Sequence, residues 1–171
     1  MTLEEFLKKL DTIREELLDD VSHIIAETAT EYFKGSFQRK AFDGAGWKRT
    51  DKGTGSTLVS SGNLMNSVRP SEVSPRRVTI SAGNAQVGYA RLHNEGGEIT
   101  VTKAMKKFFW AMYYKYGGRG REAERWKSYA LKKEGSVISI PQRQFMGDSS
   151  EMFDQISKRI TTYIENQLDK S

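Results

Sequence analysis

The stretch that decides the fold is residues 3–33, LEEFLKKLDTIREELLDDVSHIIAETATEYF. Leu3, Phe6, Leu7, Leu10, Ile13, Leu17, Val21, Ile24, Ile25, Tyr32 and Phe33 recur at spacings of three and four, which puts them on one stripe of a helix. Thr2 and Glu5 have the spacing of a capping box at its start, and Gly35 weakens the helix near its end. Thirty helical residues measure about 45 Å. A domain of 171 residues should have a radius of gyration of about 15 Å. Either part of the stripe therefore reaches past its own domain to a neighbouring subunit, or the helix breaks near Asp19-Asp20.

Outward from this helix the texture changes. Ala41 to Thr57 holds four glycines among Asp, Thr, Ser and Lys, which is loop chemistry, with Trp47 as an anchor into the core. Ser60 or Ser61 can cap a short helix running to about Val68, where Pro70 blocks its continuation. Arg77 to Ser81 alternates polar and apolar, as a half-buried strand does. Gly83-Asn84 reads as a turn and Gln86 to Tyr89 as the returning strand. Tyr89 to Asn94 fits one helical turn closed by Gly96-Gly97. Glu98 to Thr102 and Val137 to Ile140 read as further strands, the second ended by Pro141. Ser149 to Leu168 is a final amphipathic helix carrying Met152, Phe153, Ile156, Ile160, Tyr163, Ile164 and Leu168 on one face. The expected fold is α+β: a long N-terminal and a C-terminal helix packed on a small, mainly antiparallel sheet, in one domain over residues 1–171.

One segment does not fit that plan. Residues 103–134 hold ten Lys/Arg against three Glu, a net charge of +7 in a chain whose total is +5. Phe108, Phe109, Trp110, Tyr113, Tyr114, Tyr116, Trp126 and Tyr129 interleave with the charge, and Gly117-Gly118-Arg119-Gly120 divides the segment into an inserted helical hairpin. Basic and aromatic residues together can hold a nucleic-acid backbone and stack its bases, with Lys106, Lys107, Arg119, Arg121 and Arg125 as contacts to it or to another partner. Aromatics at helical spacing are more often packing residues, and that reading is favoured.

Composition bounds the chemistry. A chain of this length buries about 70% of its unfolded surface and needs no metal or disulfide to fold. The absence of cysteine excludes thiol catalysis, disulfides, iron–sulfur clusters and Cys-ligated zinc. No apolar run approaches the roughly 18 residues that span a bilayer, and Met1 to Leu10 lacks the apolar centre of a secretory signal. A soluble chain made in a cytoplasm, with no membrane partner, is expected. His23 has no obvious partner. His93 with Glu95 and Glu98 offers at most one imidazole beside carboxylates, short of the donor set that transition metals favour. Ser60-Ser61-Gly62 lacks the frame of a nucleophile elbow, and Lys52 to Ser56 lacks the spacing of a phosphate-binding loop. No catalytic group, metal or cofactor is expected.

Three motifs are more specific in order than singly: Phe42-Asp43-Gly44-x-Gly46-Trp47 followed by Leu58-Val59-x-Ser61-Gly62-x-Leu64-x-x-Ser67-Val68; Tyr89-Ala90-x-x-His93-Asn94-Glu95-Gly96-Gly97; and Ile140-Pro141-x-Arg143-x-Phe145-Met146-Gly147. From about Gly35 onward the chain resembles the phage virion morphogenesis family, the tail-completion proteins of Mu-like tailed phages. The resemblance implies an α+β structural subunit of the virion neck or tail, acting in head–tail joining. It implies a homo-oligomeric ring, a hexamer or dodecamer, beside connector, tail-terminator or tail-tube proteins, with DNA passing through the lumen. The basic hairpin looks like an enlarged insertion. On this reading Trp47, Ser61, Gly62, Leu64, Tyr89, His93, Glu95, Gly96, Gly97, Pro141, Arg143, Phe145 and Gly147 are fold and interface residues. Ser61 caps a helix whose Leu64 and Val68 face inward; Tyr89, Leu92 and His93 pack a helical turn on the sheet; Arg143 pairs with Glu95 or Glu98; Phe145 anchors the last helix. The rival readings are a nucleic-acid-binding module using residues 103–134 and a metal-dependent hydrolase using His93 and Glu95.

Overall fold

The computed structural model describes residues 2–48, 58, 62–85 and 87–169. In chain order the elements are α1 (Leu3–Arg39), β1 (Ala41–Phe42), β2 (Ala45–Gly46), α2 (Asn63–Asn66), β3 (Arg69–Ser74), β4 (Arg77–Ser81), α3 (Ala90–Glu95), β5 (Gly97–Thr100), α4 (Lys103–Lys115), α5 (Arg121–Ala130), β6 (Val137–Ile140) and α6 (Ser150–Leu168). The fold is α+β, as the sequence predicts. The strands form three separate antiparallel pairs, β1-β2, β3-β4 and β5-β6, in place of one sheet.

The chain divides into two compact units, Met1–Glu95 with Arg143–Ser171, and Gly96–Gln142. In the first, α1 runs unbroken for 37 residues, so of the two alternatives the break near Asp19-Asp20 does not occur. Both halves of its capping box form: Glu5 N–H donates to Thr2 Oγ1 at 3.2 Å, and Thr2 N–H donates to Glu5 Oε2 at 2.7 Å. The helix passes through Gly35 and stops at Lys40, whose φ of 54° is left-handed. Its buried residues begin only at Ser22. The apolar stripe therefore divides in two. Tyr32, Phe33 and Phe37 enter a core with Phe42, Leu64, Val68, Val87 and Phe145, while the stripe before Ser22 stays exposed.

Asp43 and Gly44 join β1 to β2 with φ of 46° and 76°, the two left-handed positions of a tight hairpin turn. The Asp-Gly pair was the local signal for it inside a stretch read as loop. The hairpin at β4 is a second correction. β4 pairs backwards with β3, Val73 opposite Val78, and among the described residues not forwards with 87–89 of the expected returning strand. Pro75 explains the choice: its fixed φ suits the second position of a turn, so the chain reverses at Pro75-Arg76. Pro70 lies within β3 beside a register shift, which disposes of the donor it lacks. Gly83 (φ 98°) then turns so tightly that a Cβ there would lie 2.9 Å from the Val87 carbonyl oxygen. Gln86 lies outside the described residues.

α6 packs antiparallel along α1. Arg159 donates to Thr28 Oγ1 (3.2 Å) and pairs with Glu31 (2.6 Å), and Tyr163 donates to Asp20 one helical step further out. Only Met152 and Ile156 of its apolar face are buried; Phe153 and Leu168 are exposed.

In the second unit β5 and β6 pair with Ile99 opposite Ile138, and α4 and α5 form the expected helical hairpin. Thr102 caps α4 by accepting from Met105 N–H at 3.2 Å. Gly117, Gly118 and Gly120 take left-handed φ between the helices. Val101, Phe109, Ala123 and Ala130 are its buried apolar residues.

Candidate functional site

Residues of all three motifs meet in the first unit, around the segment Arg143–Gly147. Asn94, at the end of α3, is the hub. Its Oδ1 accepts from Phe145 N–H at 2.9 Å and Met146 N–H at 3.0 Å, while its Nδ2 donates to the Met146 carbonyl at 3.1 Å. One amide thus satisfies three backbone groups of an irregular segment, which would otherwise need water or secondary structure. Trp47 clamps the neighbouring residue by donating its Nε1–H to the Gln144 carbonyl at 2.6 Å. Arg143 N–H donates to the His93 carbonyl at 2.8 Å. So braced, Phe145 inserts its ring 4.9 Å from Phe37, and Trp47 meets the same Phe37 edge-on at 5.8 Å.

A second lock joins the first motif to α6. Ser149 caps α6 by accepting from Met152 N–H, and its hydroxyl donates to Asp43 Oδ1 at 2.7 Å. Tyr32 accepts from Asp43 N–H at 3.2 Å and donates to Glu151 Oε2 at 2.9 Å. The Ser149 hydrogen bond, aided by the Glu151 and Ser150 donors and opposed by partial desolvation, holds the Asp43 carboxyl below its ordinary value. Asn94, Tyr32, Asp43 and Ser149 were not among the predicted site residues. The helix-start position of Ser149 was legible; its partner, 106 positions away in sequence, was not.

The predicted residues separate into those this geometry unites and those it does not. Leu64 and Val68 are buried as expected. The residue at the start of α2 is Gly62, at φ 71° and with no side-chain cap; Ser61 lies outside the described residues. Tyr89 is exposed, and its ring meets that of His93 edge-on, ring centres 5.5 Å apart. Gly147 lies close under Phe42 and Gln144. Gly96, Gly97 and Pro141 belong to the second unit. Gly96 has φ 74°, and a Cβ there would lie 2.9 Å from the Gln142 nitrogen, so glycine is required by angle and by space.

The expected pairing of Arg143 is overturned. Glu95 is bound by Arg91 at 2.9 Å, because residues four apart on one helix face meet without ordering any further chain. The Arg143 guanidinium is buried and makes no ion pair among the described residues; its Nε and the Nδ1 of His93 have no hydrogen-bond partner. Burial first, and then the Arg143 charge, hold the His93 pKa below its ordinary value. A sign for acid follows. Below about pH 6.5 the unfolded chain takes up a proton on this imidazole before the folded chain does. The stability that His93 contributes is complete above that value and declines as pH falls through it toward the folded pKa. Thermal melts from pH 7.5 to 5 should show a smaller loss for His93→Gln than for the unmodified chain; parallel losses would contradict the assignment.

In the second unit the aromatics of the hairpin pack on one another. Phe109 lies 6.0 Å from Trp126 and 5.5 Å from Tyr129, and Phe108 meets Trp126 edge-on at 5.8 Å. Arg125 and Lys127 are paired with Glu122 and Glu124 along α5 at 4.0 and 3.7 Å. Lys107, Arg119, Arg121 and Arg125 are exposed and Lys106 is half-buried. His23 is exposed beside Asp19. Among the described residues no three His, Asp or Glu gather as metal ligands, and no helix is long and apolar enough to cross a membrane.

The comparisons with the curated proteins and with the solved structures found no match to this chain. A model of the phage virion morphogenesis family matches residues 2–165, which takes in α1, both locks, the hairpin and most of α6. With residues of all three motifs meeting in one unit and the family pattern spanning nearly its whole length, this chain belongs to the phage virion morphogenesis family and has a structural or assembly role in a phage virion.

Proposed function

We propose that the protein is a neck or tail-completion subunit that acts in head–tail joining as one member of a homo-oligomeric ring, without catalysis of its own. The observation that supports this best is what the motif residues do. Asn94, Trp47, Phe145, Asp43 and Ser149 all brace chain segments against one core. Asn94 and Trp47 bond backbone groups, and Asp43, Ser149, Tyr32 and Glu151 bond across chain segments, a use suited to holding shape. The exposed face of α3 carries Arg91 and Glu95 in a pre-formed pair, and the exposed Tyr89 stands just ahead of the helix against His93; together they offer a contact ridge. A ring built from identical chains needs two different faces on each to close. The ridge supplies one of them, and the exposed basic side of the α4–α5 hairpin faces the DNA lumen or an adjoining connector, tail-terminator or tail-tube protein. Six or twelve copies match the symmetry of such a neck.

Electron microscopy of intact particles tests the proposal. A ring of this chain at the junction of head and tail is expected, and particles lacking the chain should accumulate as unjoined heads and tails. Complete, infectious particles assembled without it would overturn the reading.

A further inference from the structure

The exposed half of α1 carries a pattern that the ring reading does not use. Leu3, Phe6, Leu10, Ile13 and Leu17 alternate at steps of three and four, the a and d positions of a heptad seam, and each is 37–74% exposed. Beside the inner end of this seam, α6 stops. The two helices leave between them an open groove of about 390 Å3, lined by Ile13, Leu17 and Asp20 of α1 and by Tyr163, Ile164 and Leu168 of α6. The outer end, Leu3 to Leu10, has no covering element among the described residues. Each chain thus presents a free apolar helix end and, next to it, an apolar groove.

We propose that the free chain pairs with a second copy through α1, the two helices antiparallel, so that the outer end of each lies in the α1–α6 groove of the other. Charge selects the direction. Lys9 and Glu16 flank the seam on the same side, and in the antiparallel pair Lys9 of one copy faces Glu16 of the other, twice. A parallel pair would set Lys9 near Arg14 and would bring the two Asp20 carboxylates together inside the seam. The antiparallel pair places each Asp20 at the outer limit, opposite Leu3, where it stays bonded to Tyr163. Phe6 of one copy then faces Leu17 of the other, and Leu10 faces Ile13.

A two-fold contact of this kind cannot close a one-tier ring. The pair is therefore a form of the free subunit that covers the seam until docking surfaces in the particle replace the second copy. The inference goes beyond the neck reading and does not depend on it.

The chain contains no cysteine, so engineered thiols report position cleanly. Full-length Lys9→Cys, Glu16→Cys and an equal mixture of the two would be treated with a short bismaleimide. Covalent dimer is expected in the mixture and not in either variant alone. Cross-linking of each variant to itself, as a parallel pair gives, would overturn the proposal, as would a monomer by sedimentation at micromolar concentration. Leu10→Glu should raise the dissociation constant roughly 100-fold, because two leucines per dimer are lost and each is worth about tenfold or more. Leu10 lies outside the core, so the melting profile should be kept; an unchanged dimer with Leu10→Glu counts against the seam. Lys9→Glu and Glu16→Lys should each weaken pairing, and their combination should restore it. A monomeric free chain would leave the neck reading standing, whereas stable pairing of a chain that is itself missing from the particle would sink the neck reading alone.

Discussion

Phe145→Ala should lower unfolding stability by about 3–5 kcal/mol, the usual cost of removing a fully enclosed aromatic ring. Phe145 is 1% exposed. It is held on three sides: its ring packs on Phe37, its own N–H is bonded to Asn94, and Trp47 bonds the carbonyl just before it. The surrounding atoms belong to the helix α1 and to a segment pinned by hydrogen bonds, so they cannot collapse into the space left behind. Phe145→Leu keeps most of the volume and should cost less, within about 1.5 kcal/mol if the ring's neighbours accept the new shape. Urea unfolding followed by fluorescence would measure both. Whole domains have only about 5–15 kcal/mol to lose, so the alanine variant should unfold at markedly lower denaturant. A loss under about 1 kcal/mol would show that the segment after β6 does not anchor the core.

Asn94→Ala ranks second, at about 2–3 kcal/mol, because it removes three hydrogen bonds and leaves two backbone donors and one acceptor of a partly buried segment without partners. Asn94→Asp separates the roles of the two ends of the amide. The carboxylate still accepts from Phe145 and Met146, but it cannot donate to the Met146 carbonyl, and it sets one oxygen against another. Its loss should fall between zero and that of alanine. Hydrogen exchange gives a reading that global stability does not: the Phe145 and Met146 amides should lose protection first in Asn94→Ala, ahead of the core helices. Undiminished protection of those two amides would remove Asn94 from the lock.

Much of the local architecture was legible. Thr2, Glu5 and the apolar spacing define the start and path of α1; Gly117 to Gly120 divide the hairpin; alternation marks β4 and β6; and Pro141 ends the last strand. Both segments beside β4 offer a turn; Pro75 favours the backward one, and packing beside α1 holds it. In that pairing Ser22 Oγ of α1 comes within 2.9 Å of the Ser74 carbonyl at the end of β3. Charge alone offers Arg143 to Glu95 or Glu98, although Arg91 stands four residues from Glu95.

The sequence by itself determined the α+β class, the capped start of α1, its apolar stripe and the family, because each depends on patterns a few residues long or on motifs read in order. The tertiary structure alone decided that α1 stays unbroken with its outer half uncovered, that Asn94 and Asp43 serve as hubs, and that Arg143 is buried without a carboxylate. Those outcomes join groups 51 to 119 positions apart, or depend on which surfaces remain uncovered once the core has closed. No local spacing encodes such contacts: they exist only when the whole chain has paid the entropy of folding.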